Sequence, residues 1–181
     1  MLRLILLLFV LCGAAQAQDE PLQALKQPGA VGLLRHARAP GTGDPAGFRI
    51  GDCSTQRNLD AAGREQARQI GERLRAAGLA PRVFSSAWCR TLETTELLGL
   101  GSVEVLLSLN SFFANSAAGP AQTEAVRRLI SNWDGGPLLL VTHQVNITAL
   151  TGVFPGDGEL IVVRPGPGGL VVTGRVLSPG P

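Results

Sequence analysis

The chain has 181 residues, 16 Lys plus Arg against 14 Asp plus Glu, a formal net charge of +2 and 45% hydrophobic residues. That length predicts one compact domain. Charge so nearly balanced, with no run of one sign, argues against nucleic acid or an anionic lipid surface as partner.

Taken from the start, residues 1–17 have the form of a secretory signal: Arg3 supplies the positive end, residues 4–11 the apolar stretch, and Ala15-Gln16-Ala17 a small-residue cleavage site. The remaining residues, 18–181, are read as a single domain. The apolar run is short for a membrane span, so a periplasmic or secreted protein with no stable membrane insertion is expected, an uncleaved anchor being the alternative. Signal removal leaves Cys53 and Cys89. An oxidising compartment favours a disulfide between them, against two separate buried thiols.

Residues 21–27 are a short polar helix candidate closed by Pro28-Gly29. The apolar run 30–34 predicts a buried strand that ends in Arg35-His36, followed by a Gly- and Pro-rich loop over 37–58. Asp60 can cap the clearest helix of the chain, in which Ala67, Ile70, Leu74 and Ala77 repeat at helical spacing until Gly78 stops it. A strand over 82–85 leads to a helix over 87–98, with Ser86 as its cap and Arg90 in its first turn. Then come a strand over 103–107, a helix over 122–133, a strand over 137–142 ending at His143, and a helix over 145–151. Segments 159–164 and 170–176 form a hairpin or a pair of edge strands. The alternation predicts an α/β fold, a three-layer α/β/α sandwich with a mostly parallel central sheet.

Ligands of open α/β sheets bind beyond the carboxyl ends of the strands. Three strands deliver polar groups there: Arg35-His36, Ser85-Ser86 leading to Arg90, and His143. His36 and His143 are the only histidines. Two imidazoles and two guanidinium groups at one edge suit a phosphate dianion, whose oxygens match the guanidinium fork. A zinc or iron centre would need three or four ligands and no flanking cations, so no metal is expected. A serine hydrolase is disfavoured because no Gly-x-Ser-x-Gly elbow occurs.

Four segments in order carry a family likeness. Leu34-Arg35-His36-Ala37 resembles the Arg-His-Gly signature of the histidine phosphatase (phosphoglycerate mutase-like) superfamily. Residues 58–67 look like that family's Leu-Thr-x-x-Gly-x-x-Gln-Ala helix start, residues 85–94 like its Ser-Ser-x-x-x-Arg-x-x-x-Thr segment, and Val141-Thr142-His143 like its second histidine strand. Ala37, the signal and the C-terminal hairpin look most like the periplasmic branch related to lipopolysaccharide-core heptose phosphatase.

The resemblance implies that His36 attacks phosphorus in line and forms a phosphohistidine that water hydrolyses. Arg35, Arg90 and His143 would hold the non-bridging oxygens, with no metal or organic cofactor and a small phosphorylated substrate such as a sugar phosphate. Arg35 and Arg90 should also keep the attacking imidazole neutral.

The departure lies in the proton donor that an alkoxide leaving group needs. Where the family places an acid, this chain has Ser111 and Gln144. Asp44, Asp52, Glu93 and Glu104 remain, and Asp52 is preferred because a Cys53–Cys89 bridge would tether its loop beside Arg90. The missing acid also leaves open a phosphate-binding pseudoenzyme, or a phosphatase for phosphoramidates such as phosphohistidine. Phe48, Arg49, Phe112, Phe113 and Asn115 are candidate wall residues. Oligomeric state is not legible.

Overall fold

Four strands of the chain are short apolar runs, and runs of that kind are stable only with both faces covered. In the computed structural model, which describes residues 21–178, they belong to a six-stranded sheet with Val31–Arg35 and Leu138–Thr142 at its middle. The signal-like segment 1–17 lies outside the described residues.

The strands are β1 (Val31–Arg35), β2 (Arg82–Ser85), β3 (Val103–Val105), β4 (Leu138–Thr142), β5 (Leu160–Gly166) and β6 (Gly169–Val176). Their order is β3-β2-β4-β1-β5-β6. The β3-β2-β4-β1 portion is parallel, whereas β5 runs antiparallel to β1 and β6 antiparallel to β5. The terminal hairpin thus closes one edge of the sheet.

The helices are α1 (Ala61–Ala76), α2 (Cys89–Leu98), α3 (Gly119–Ser131) and α4 (Gln144–Thr151). Ile70 and Leu74 of α1 and Leu98 of α2 pack with Leu34, Val83, Leu139 and Val141 on one face of the sheet. Val126 and Ile130 of α3 and Ile147 and Leu150 of α4 pack with Val31, Leu33, Leu138 and Leu140 on the other. The expected three-layer sandwich with a mostly parallel sheet is therefore present.

Local chemistry accounts for the boundaries. Asp60 caps α1 as expected, its carboxylate accepting the Gly63 amide at 2.7 Å, and Gly78 follows the helix at φ +70°. Ser86 does not cap α2. The helix starts at Cys89 with Trp88 before it, and the Ser86 hydroxyl, which takes the Trp88 amide at 3.3 Å, is also engaged with His143 and Thr91. The third strand stops at Val105, and residues Leu107–Leu109 wind into a 3-10 turn. Among the described residues, the polar N-terminal helix covers 21–24 and ends before residue 27. α3 begins earlier than expected, at Gly119 with Pro120 in its first turn, where a proline needs no amide partner.

Cys53 and Cys89 form a disulfide that closes 36 residues. On the chain-entropy argument a loop of that size contributes roughly 3–4 kcal/mol. It ties the 3-10 turn Cys53–Thr55 of the long loop to the first residue of α2.

Candidate active site

Strand register puts the chemistry in one place. Arg35 stands opposite Thr142 and Ser85 opposite Val141, so His36, His143 and Ser86 leave three adjacent parallel strands side by side. The ladder continues through them, with the His36 amide on Thr142 O at 3.0 Å and the Ser86 amide on Val141 O at 3.1 Å. The two imidazole centroids lie 5.5 Å apart, edge to face. Arg35, His36, Arg90 and His143 all line one cavity of about 590 Å³.

His36 is buried, and its Nδ1 lies 2.8 Å from the Ala37 carbonyl. A carbonyl only accepts, so Nδ1 carries the proton and Nε2 keeps the lone pair that a nucleophile needs. Burial lowers the imidazole to about 3, and Arg90, Arg35 and Arg57 push the same way against the hydrogen bond to Ala37. The ring is neutral at physiological pH. His143, also buried, is lowered well below its usual value by burial first, by His36 whenever that ring is protonated, and by the charges of Arg90, Arg57 and Arg35. Its Nε2 lies 2.8 Å from Ser86 Oγ, which is 2.7 Å from Thr91 Oγ1, while its Nδ1 is buried without a partner. An oxyanion in the cavity would supply one.

Arg35 donates to Pro155 O at 2.8 Å and pairs with Asp157 at 2.6 Å, which anchors it through the turn before β5. Arg90 is almost fully buried and forks onto Asp44, at 2.7 and 3.2 Å. Each of these guanidinium groups has a buried Nε with no partner. Among the described residues no group of three or more His, Cys, Asp and Glu could hold a metal ion.

The preferred proton donor needs correction. Asp52 does not line the cavity. It is exposed, takes the Ser54 amide and hydroxyl, and pairs with Arg49 at 2.5 Å. The hydrogen bonds from Ser54 and Arg49 hold its carboxyl below the usual range. The disulfide tethers the loop as expected, but Asp52 serves there as the cap of the 3-10 turn. Glu93 is taken by Arg64 and Glu104 by Arg82, both outside the cavity. Ser111 and Gln144 do line it, as do Phe48, Phe112, Phe113 and Asn115, while Arg49 does not.

Two residues enter with little or no sequence signal. Arg57, a third cavity arginine, is held by the carbonyls of Gly43 and Ala39. It belongs to an irregular loop without periodicity, and only its position beside the Asn58-Leu59-Asp60 helix start could have drawn attention to it. Trp88 packs edge to face on His143 at 5.4 Å and donates to Asp44 at 3.0 Å.

The profile of the Histidine phosphatase superfamily (branch 1) matches residues 31–110, the span that carries β1, the long loop, α1, β2 and α2. That match takes in 80 of the 181 residues, among them Arg35, His36 and Arg90. The fold is similar to that of the protein histidine phosphatase SixA solved with tungstate, at 19% identity over 82% of this chain and 96% of that one, with a TM-score of 0.59. A phosphoserine phosphatase of Entamoeba histolytica solved with phosphoserine aligns at 13% identity over 81% and 95% of the two chains, TM-score 0.58. A mycobacterial glucosyl-3-phosphoglycerate phosphatase solved with VO3 aligns at 17% identity over 74% and 92%, TM-score 0.55. No curated protein matches in sequence. The matched family model and the phosphatases among the structural neighbours support a hydrolase acting on phosphoric monoesters.

Proposed function

We propose that this chain is a histidine phosphatase, an exported phosphomonoesterase that hydrolyses a small phosphoester through a phosphohistidine on His36. The observation that carries the reading is the contact of His36 Nδ1 with the Ala37 carbonyl, which fixes the tautomer. The Nδ1 proton is committed to the Ala37 carbonyl, so Nε2 is free to attack. In the first step Nε2 bonds to phosphorus as the P–O bond to the leaving group breaks. In the second, water attacks phosphorus, the N–P bond breaks and neutral His36 returns. Arg35, Arg90, Arg57 and the unpartnered Nδ1 of His143 offset charge on the equatorial oxygens. The aromatic wall of Phe48, Trp88, Phe112 and Phe113 receives the rest of the substrate.

Export rests on the signal-like segment 1–17, and the Cys53–Cys89 bridge supports an oxidising compartment. A sugar phosphate is the substrate class suggested by the likeness to the heptose phosphatase branch. A second reading, a phosphatase for phosphoramidates, draws support from Ser111 and Gln144, which stand in the cavity where the family carries its acid.

The test is a quench of the mature protein during turnover of p-nitrophenyl phosphate, with mass spectrometry of the peptide that contains residue 36. A phosphoryl adduct on His36 is expected, and His36→Ala should remove it and lower turnover by at least about a thousandfold. A variant working at the wild-type rate would take His36 out of the mechanism. Sugar phosphates and phosphoramidates compared side by side separate the two readings.

A further inference from the structure

Among the described residues, Asp44 is the only carboxylate lining the cavity. Its side chain is 9% exposed. Four N–H groups hold it: Arg90 Nη1 at 2.7 Å, Arg90 Nη2 at 3.2 Å, Trp88 Nε1 at 3.0 Å and the Arg57 amide at 3.3 Å. The Arg90 fork is the arrangement of donors that matches a phosphate, and one fork cannot serve two anions at once.

We propose that the substrate phosphate displaces Asp44 from the fork of Arg90, and that the released Asp44 is the proton donor to the leaving group. This rests on the phosphatase reading above. Asp44 takes up a proton from water or from the substrate monoanion as its counter-ion is withdrawn. As Nε2 of His36 bonds to phosphorus and the P–O bond breaks, that proton passes to the departing oxygen and leaves Asp44 as a carboxylate. In the second step the carboxylate accepts a proton from the attacking water as the N–P bond breaks, and Asp44 gives that proton to solvent or to the departing phosphate when it returns to Arg90.

The balance of forces on Asp44 supports the exchange. Burial is the largest influence and pushes its carboxyl up. Only the hydrogen bonds and charge of Arg90, with smaller help from Trp88 and the Arg57 amide, bring the net result below the usual range. The other groups facing the cavity are Arg57 from the same loop, Arg35 with His36 at the end of β1, and His143 at the end of β4. The segment from Asn110 to Gln122 lines it without an ionisable side chain. A bound dianion offsets those cations and faces Asp44 with negative charge, so burial then prevails and the carboxyl stays protonated.

The experiment compares kcat/KM for p-nitrophenyl phosphate and glycerol phosphate in the disulfide-bonded wild type and in Asp44→Asn. The alkyl-to-aryl ratio should fall about a hundredfold, the size of a general-acid contribution. The alkaline limb of the alkyl pH profile should disappear with it. An unchanged ratio, with both substrates slowed alike, would make Asp44 only an anchor for Arg90 and overturn the proposal. The wild type gives a readout free of any folding effect of the variant. Across aryl and alkyl phosphates its kcat/KM should depend weakly on leaving-group pKa. A steep dependence together with a trapped phosphohistidine leaves the phosphatase reading standing and removes Asp44 from it. No turnover and no adduct on any phosphoester sinks both.

Discussion

The two histidines and Arg35 and Arg90 are legible one by one, because each ends a strand or opens a helix and that position is a local property of the sequence. What the residue scale adds is protonation. Folded His36 binds its proton only near pH 3, whereas an exposed imidazole does so near 6.5. Between those values the unfolded chain holds the extra proton, so stability rises with pH across this window and falls as acid is added. The urea midpoint of the mature protein, in buffer free of oxyanions, should decline as pH drops from about 6.5 toward 3. His36→Gln should flatten part of that decline. The rest belongs to His143, shifted in the same direction, and to the lowered carboxyl of Asp44. An identical slope in variant and wild type would place the acid sensitivity elsewhere.

At the scale of elements, type and order were readable while ends were not. Ser86 looks like a helix cap in sequence, yet a hydroxyl bonds to whatever is near it in space, and here that includes His143, brought in by a strand 57 residues away. The β3 strand shortens because Leu107–Leu109 turns inward, sending Leu109 into the core beneath α3. Close approach of helices was invisible as well. A Cβ on Gly71 of α1 would stand 2.1 Å from the carbonyl oxygen of Leu98, the last residue of α2. That atom is backbone and cannot swing away. Gly71→Ala should therefore destabilise the domain by about 1–3 kcal/mol, the usual range for overpacking, as read by chemical denaturation. Because α2 also carries Arg90, a shift of the helix should reach the cavity too.

For the molecule as a whole, the cavity exists only when segments more than a hundred residues apart in sequence, around His36 and His143, are folded together. A ligand that binds only the folded form stabilises it in proportion to the logarithm of its concentration. Orthovanadate at a hundred times its Kd should add about 2.7 kcal/mol, seen as a rise in Tm, and Arg90→Ala should shrink that rise. A Tm indifferent to vanadate would count against an oxyanion site at this rim. The 3-10 turn, the disulfide and the loop over 37–58 all bear on it, since they carry Asp44 and Arg57 to the cavity and Asp52 away from it.

Hydrophobic period and strand-end position depend on near neighbours in the chain, so sequence alone determined the layered α/β architecture, the parallel core and the four groups expected at its rim. Which carboxylate faces the cavity was decided by tertiary structure alone. The loop over 37–58 has no periodic pattern, and its course follows from long-range contacts: the bridge to Cys89, the grip of Arg57 on Gly43 and the fork of Arg90 on Asp44.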